Sequence, residues 1–236
     1  CMMAKSIDMD VFPVDIGVAE KFSFKGVADK KIRKGTENIA KNAAMTRDEA
    51  IAAVKTGIEL AENCAQQGFR LVCGGEMGIG NTTTSAAVTA ALTGAPAARV
   101  TGRGAGLSSE GLRKKMQVVE KSLAINRPNP DDPVDVISKV GGLDIAGLTG
   151  FYLGAAACGL PIVLDGVISC TAALAAVRLC PLVADYLIAV HCSEEPASAL
   201  LLQELGKKAF ITAGMHLGEG TGAAAGIALL DLALAP

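Results

Sequence analysis

Aromatic side chains are scarce in this sequence, where they make up 3% of 236 residues, and tryptophan is absent. The core must therefore be built mainly from Ala, Leu, Val and Ile, in elements that pack closely. An excess of basic charge is also missing, because the formal net charge is -2 and no strongly basic stripe occurs. Nucleic-acid interfaces need such a basic surface, and single-strand sites add aromatic platforms. We therefore expect no nucleic-acid partner.

Paired metal ligands and long apolar runs are lacking as well. The seven cysteines are scattered with no CxxC pair, and the two histidines form no HExxH-type motif. This usage predicts neither a disulfide framework nor a metal site, and it is typical of small core residues in a reducing cytoplasm. The apolar stretches are interrupted by Gly, Pro, Asp or Arg, so we expect no membrane span.

The remaining pattern is an alternation of short apolar segments and helix-like segments. With 50% hydrophobic residues, the chain is long enough for one sizeable core, and we expect residues 1–236 to form a single α/β domain. Strands are predicted in "DVFPVDIGV", "FRLVCGG", "LPIVLDG" and "DYLIAVHC". A capping box at Thr46 and Glu49 predicts a helix that Gly68 ends. Such an alternation favours an open, mostly parallel sheet with helices on both faces.

Polar residues follow three of these predicted strands. Glu76 follows one, Asp165 ends another, and His191 with Ser193 follows a third. Each alone is explained as a turn residue. Because ligands of open α/β sheets bind outside the carboxyl ends of the strands, the set favours one composite site.

The run "GEMGIGNT" resembles a phosphate loop in which Asn81 replaces the lysine. It lies between a predicted strand and a predicted helix that Asn81 or Thr82 would cap. Without the lysine, one phosphate monoester fits better than a triphosphate. A structural turn, with Gly78 and Gly80 serving only close packing, remains the alternative. On the helix after "GRGAG", we expect one of Lys114 and Lys115 to face solvent and the other to reach the site as a counter-charge for phosphate.

The stretch "MHLGEGTGAAAG" places Glu219 in a glycine-rich run between apolar segments. Acidic residues favour the first turn of a helix because the helix dipole is positive there. Glu219 is therefore either a helix-start residue or a general base held in a tight turn. The residues alone favour the first alternative.

Five blocks together carry a family resemblance: "GGEMGIGNTTTSAAVTAALTG", "GRGAGLSSEGLRKKMQVVE", "PIVLDGVISCTAAL", "YLIAVHCSEEP" and "LGEGTGAAAGIALL". They resemble the nicotinate-nucleotide–dimethylbenzimidazole phosphoribosyltransferase family of cobalamin lower-ligand synthesis, and the resemblance extends from "VFPVDIGVA" onward. It implies a Rossmann-like parallel sheet with helices, a smaller helical part that is incomplete in this chain, and a homodimer. It also implies transfer of the phosphoribosyl group of nicotinate mononucleotide to 5,6-dimethylbenzimidazole, which gives α-ribazole 5'-phosphate and nicotinate.

The resemblance also implies roles for individual residues. Glu219 matches the catalytic base, and Glu76 matches a second active-site carboxylate. The residues implied in substrate binding are Gly78, Gly80, Asn81, Thr82, Lys115, Asp144, Asp165, Gly166 and Ser193. No cofactor is implied, and no metal, because the pyridinium leaving group carries no diphosphate.

One departure from the family pattern is that the chain starts after an N-terminal segment that helps to wall the base pocket. We therefore expect nucleotide binding to survive more readily than base binding. The alternative function is a non-catalytic nucleotide-binding core or a truncated subunit that needs a partner.

Overall fold

The computed structural model describes residues 2–21, 24–215 and 217–235. Its centre is a parallel sheet of three very short strands, β3 (Val72–Cys73), β4 (Ile162–Leu164) and β5 (Leu187–Ala189), in the order β3-β4-β5. Val72 pairs with Ile162, and Ile162 pairs with Leu187. A parallel bridge between His191 and Ile211 lies just beyond β5. The three carboxyl ends therefore meet at one edge of the sheet.

Helices make up most of the remaining structure. Two short strands, β1 (Val14–Asp15) and β2 (Ala28–Asp29), form a separate parallel pair. The helices are α1 (Met2–Ser6), α2 (Arg47–Gln66), α3 (Asn81–Thr93), α4 (Ala97–Val100), α5 (Ser109–Asn126), α6 (Pro133–Val140), α7 (Leu143–Ala157), α8 (Val167–Leu179), α9 (Ala197–Glu204) and α10 (Thr221–Leu234), with a 3₁₀ helix at Pro181–Tyr186.

Both faces of the central sheet are covered by helices, as the sequence predicts. Along β4, Ile162 and Leu164 belong to the large apolar cluster that includes α7 and α8. Val163 points the other way, into a smaller cluster with Ala223 and Ile227 of α10. Alternate residues of a strand face opposite sides of its sheet, so β4 is buried on both sides. This is the arrangement expected of a parallel α/β fold.

Helix α2 confirms the prediction made from its local signals. Thr46 caps it, and the reciprocal bonds between Thr46 and Glu49 complete the predicted capping box. Gly68 has φ +86° just beyond its end, which is the left-handed conformation that ends many helices.

The strand predicted in the stretch 10–18 is present but short, because only β1 forms there, and β1 pairs with β2 rather than with the central sheet. The predicted cap of α3 is wrong. Helix α3 is capped neither by Asn81 nor by Thr82, because its N-cap is Gly80, with φ +83°. Asn81 is the first helical residue, and its side chain makes other contacts.

Helices α2 and α7 cross at glycines without side chains between them. A Cβ atom added at Gly150 would overlap the carbonyl oxygen of Val54, and one added at Gly57 would overlap that of Gly147. A Cβ at Gly154 would lie 2.9 Å from Ile58 Cα. The crossing therefore depends on glycine at these positions. Among the described residues, no helix is both long enough and apolar enough to span a membrane.

Candidate active site

A cavity of about 310 Å³ opens at the carboxyl edge of the central sheet. Residues that follow all three strands line it, together with the turn before α10. The lining includes Glu76, Gly78, Asn81, Thr82, Asp165, Gly166, His191, Ser193, Glu195 and Glu219. The predicted composite site is therefore present as one cavity, at the edge where open α/β sheets bind ligands.

Glu219 lies on a turn of unusual backbone conformation. Its φ is +58°, and the flanking Gly218 and Gly220 both have φ +78°. A non-glycine residue in this left-handed region is strained, and such strain collects at functional sites. Helix α10 starts only at Thr221, with Gly220 as N-cap and no acidic residue in its first turn. Glu219 is therefore not the helix-start residue of the alternative interpretation.

The carboxylate at the start of α10 comes instead from Asp165, which follows β4. Its Oδ2 accepts the backbone N–H of Gly220 at 3.1 Å, and its Oδ1 accepts that of Ala223 at 3.0 Å. Asp165 is only 3% exposed. One buried carboxylate from a distant part of the chain thus accepts two N–H groups at the start of α10. Its negative charge also lies at the positive end of the helix dipole.

His191 connects the same two parts of the chain. Its Nδ1 lies 3.3 Å from the backbone oxygen of Asp165, and its Nε2 lies 3.2 Å from that of Met215. The ring is buried, with 4% exposure. Gly222 packs so closely that an added Cβ would lie 2.6 Å from His191 Nδ1 and 2.9 Å from Asp165 Oδ1.

The side-chain amide of Asn81 bridges two carboxylates. Its Nδ2 donates to Oε2 of Glu76 and, at 2.8 Å, to Oδ2 of Asp144. The pKa of Glu76 is raised to about 7, chiefly by burial and also by the negative charges of Asp144, Asp165 and Glu219, whereas the bond from Asn81 lowers it. Glu76 is thus poised to titrate near neutral pH. Such perturbed carboxyl groups cluster at functional sites.

A second cavity, of about 450 Å³, adjoins the first and shares Thr82, Gly104 and Ala105 with it. Lys115 lines this second cavity. Its Nζ donates to Thr82 Oγ1 at 2.8 Å and to the Gly102 carbonyl at 3.0 Å. Burial lowers the pKa of Lys115, and the charge of Glu195 opposes that shift. Lys114, its neighbour on α5, is exposed and pairs with Glu110.

The whole chain, residues 1–236, matches a family model described as "Phosphoribosyltransferase". The chain belongs to this phosphoribosyltransferase family. Two curated relatives named nicotinate-nucleotide–dimethylbenzimidazole phosphoribosyltransferase are similar to it. One, from Acetivibrio thermocellus, is 50% identical over 98% of the chain, and one from Clostridium acetobutylicum is 48% identical over 95%. The chain spans 66% and 64% of the lengths of these two relatives.

The fold of the chain is also close to that of solved structures. A crystal structure of CobT from Thermus thermophilus has a TM-score of 0.94 and is 40% identical. The match covers 98% of the chain and 70% of that structure's chain. Both the family and the α/β fold expected from the five sequence blocks are therefore confirmed.

The structure places the predicted site residues in three different settings. Glu76, Glu219, Gly78, Asn81, Thr82, Asp165, Gly166 and Ser193 line the first cavity, while Lys115 and Gly80 line the second. Asp144 lines neither cavity and is linked to the site through Asn81. Of the adjacent pair on α5, Lys115 is buried and Lys114 is exposed, as expected.

Glu195 is a cavity residue that the sequence analysis missed. Its Oε1 accepts the backbone N–H of Gly104 at 2.8 Å, which ties the end of β5 to the loop before α5. The only sequence signal is the acidic pair in "HCSEEP", which does not indicate which of the two glutamates points inward. Among residues 2–21, 24–215 and 217–235, no three His, Cys, Asp or Glu side chains are grouped so that they could hold a metal ion.

Proposed function

We propose that the chain transfers the 5-phosphoribosyl group of nicotinate mononucleotide to 5,6-dimethylbenzimidazole or a related base, giving α-ribazole 5'-phosphate and nicotinate. The observation that carries this proposal is the strained turn that presents Glu219 to a cavity whose other wall holds Glu76. A Cβ built on Gly218 would lie 3.5 Å from Glu76 Oε1, so the turn that carries Glu219 reaches Glu76. The charge of Glu219 contributes to the raised pKa of Glu76. A space between two carboxylates suits a reaction with a cationic transition state.

The phosphate of the nucleotide is assigned to the boundary between the two cavities. There the glycine-rich loop 78–80 leads into α3, and Thr82 receives a bond from the buried Lys115. Backbone N–H groups at a helix N-terminus favour an anion. An incoming phosphate would also place a negative charge beside the ammonium group of Lys115. That charge would oppose the effect of burial, which lowers the pKa of Lys115.

The ribose is assigned to the space beside Glu76. Cleavage of the bond to nicotinate gives the anomeric carbon oxocarbenium character, which an ionised carboxylate stabilises. The pyridinium of the bound nucleotide would favour the ionised form of Glu76 and lower its pKa from about 7. Asn81, whose amide donates to both Glu76 and Asp144, would hold the carboxylate in place.

The incoming base is assigned to the apolar rim beside Glu219. Met77, Ile79 and Leu217 line the cavity and are 74%, 104% and 75% exposed. An apolar benzimidazole would cover part of this surface. One ring nitrogen attacks the anomeric carbon while the N–H on the other loses its proton to Glu219, and the bond to nicotinate breaks with its electron pair.

The domain organisation, the assembly, the cellular compartment and the cofactor requirement form part of the same proposal. Residues 1–236 act as one catalytic domain, two copies assemble as a homodimer, and the protein works in the cytoplasm. Neither a cofactor nor a metal takes part in the transfer. The family resemblance supports the assembly, and the scattered free cysteines among the described residues support the reducing compartment.

A non-catalytic nucleotide-binding core is the second candidate function. The exposed apolar rim favours it, because a base that binds there has few other contacts. Under this alternative, nicotinate mononucleotide binds but is not turned over.

Glu219→Gln separates the two candidates, because it keeps the shape of the side chain and removes the base. A general base typically contributes about 100- to 10,000-fold in rate, or roughly 3–5 kcal/mol of barrier. The variant should lose about that factor in kcat, measured by chromatography of α-ribazole phosphate, with the nicotinate mononucleotide affinity measured by calorimetry nearly unchanged. Nucleotide binding without turnover by the unaltered chain would instead support the binding core.

A further inference from the structure

The turn that carries Glu219 is held by contacts from outside its own segment. Residues 218–220 all have positive φ, and at Glu219 that conformation is strained. Within the turn, the Oγ1 and the backbone N–H of Thr221 both donate to the Gly218 carbonyl, at 2.7 and 3.1 Å. Both local bonds end on one carbonyl oxygen, and contacts from other elements add to them.

Asp165 supplies the external contacts, from the end of β4. Its two carboxylate oxygens accept the N–H groups of Gly220 and Ala223, which lie one and four positions after Glu219. The backbone N–H of Asp165 donates to Ser169 Oγ at 3.1 Å, and Ser169 Oγ lies 2.6 Å from the buried Tyr152 hydroxyl. Asp165 therefore lies on the short connection between β4 and α8, which buried hydroxyl groups hold against the core.

Residues that follow β5 and β3 also contact the backbone around the turn. His191 lies between the backbone oxygens of Asp165 and Met215. At the end of β3, a Cβ added to Gly75 would lie 3.1 Å from Gly220 N. The backbone on either side of Glu219 is thus in contact with the ends of all three central strands.

We propose that Asp165 is a positioning residue that acts through Glu219, by fixing the strained turn so that the carboxylate of Glu219 meets the proton of the incoming base. This inference rests on the proposed function. It differs from the expectation that Asp165 binds the substrate directly, because both of its carboxylate oxygens are engaged by backbone N–H groups and the residue is 3% exposed.

The two roles predict different kinetics for Asp165→Asn. An amide oxygen can accept only one of the two N–H groups in this geometry, and the amide nitrogen would face the other. A displacement of about 1 Å in a reacting group costs on the order of 100-fold in rate. Positioning therefore predicts a loss of about 100-fold in kcat, with the dissociation constant of nicotinate mononucleotide changed less than about threefold. A direct contact between Asp165 and the substrate predicts weaker nucleotide binding instead.

Asp132→Ala is the control for a weakened helix cap. Oδ1 of Asp132 also accepts two backbone N–H groups at the start of a helix, those of Val134 and Asp135, both at 3.1 Å, so alanine is needed to remove both bonds. Asp132 caps α6 and does not line either cavity. A loss of kcat in this control as large as in Asp165→Asn would show that any weakened helix cap lowers activity, and it would overturn the proposal.

A double-mutant cycle shows whether Asp165 acts through Glu219. In the Glu219→Gln background there is no base to position, so Asp165→Asn should lower the residual rate by less than about threefold. A second full loss of about 100-fold would mean independent roles and would overturn the proposal. If wild-type protein shows no turnover at all, the proposed function fails, and this separates that failure from failure of the inference.

Two further measurements apply if Asp165→Asn does not fold. His191→Asn removes the contact with Met215, and its loss of kcat should also disappear in the Glu219→Gln background. In the wild-type protein, the amide hydrogens of Gly220 and Ala223 should exchange slowly with solvent when followed by nuclear magnetic resonance. Rapid exchange of both would show that the carboxylate does not hold the turn.

Discussion

Replacing Glu76 by glutamine should change how the stability of the protein depends on pH. In the folded protein, burial and three neighbouring carboxylates raise the pKa of Glu76 from 4.5 to about 7. In the unfolded chain, the group returns to its ordinary value. Between these two pKa values, the folded protein therefore binds more protons at this position than the unfolded chain does. Its contribution to stability is fully present below pH 4.5 and is lost as the pH rises to about 7.

The size of this effect follows from the two pKa values. One pKa unit corresponds to about 1.4 kcal/mol, so the contribution of Glu76 to the free energy of unfolding falls by up to about 3 kcal/mol across this window. Glutamine has no proton to lose. The free energy of unfolding of Glu76→Gln minus that of the wild type should thus rise by about 3 kcal/mol from pH 4.5 to 7 and stay level above it.

Urea unfolding at a series of pH values measures this difference. Circular dichroism is the suitable signal, because the chain has no tryptophan for fluorescence. Glu120→Gln, which removes an exposed carboxylate of α5, controls for the loss of one negative charge. A difference between Glu76→Gln and the wild type that does not vary with pH would refute the assignment of a raised pKa to Glu76.

Three other outcomes are expected. Lys115→Met should raise the KM for nicotinate mononucleotide without changing the affinity for nicotinate riboside in calorimetry, because only the nucleotide carries phosphate. Lys114→Met is the control, and equal effects of the two substitutions on the KM would contradict a phosphate site at Lys115. Gly150→Ala should destabilise the fold by about 1–3 kcal/mol in urea unfolding, because its Cβ would overlap the Val54 carbonyl, whereas Gly111→Ala, which meets only side chains, should change stability by less than about 1 kcal/mol. Turnover should survive exhaustive EDTA treatment, and its loss with rescue by magnesium would indicate a diphosphate donor.

Sequence patterns predicted the features that depend on neighbours in the chain. The capping box of Thr46 and Glu49 spans three positions, and both of its bonds are present. The short apolar runs around β4 and β5 are likewise local signals, and both become strands of the central sheet. They place polar residues at the strand ends, which is why the cavity could be anticipated.

Contacts between distant residues could not be predicted in this way. Asp165 lies 55 positions from Gly220, and Asn81 lies 63 positions from Asp144. No local pattern shows that an aspartate after β4 will cap α10. The same limitation explains the wrong cap at α3, where the side chain of Asn81 is used by Glu76 and Asp144 and a left-handed Gly80 takes the N-cap position.

The glycine crossing of α2 and α7 has a consequence for the order in which the protein folds. Its two sides, such as Gly57 and Gly147, are separated by α3 to α6 in the chain, so the contact closes a long loop. Closing such a loop costs chain entropy before any contact is gained, and folding slows as contacts become less local. During synthesis, α2 emerges from the ribosome well before its partner does. Its glycine face then lacks the helix that covers it in the folded protein, so we expect this contact to form late in folding.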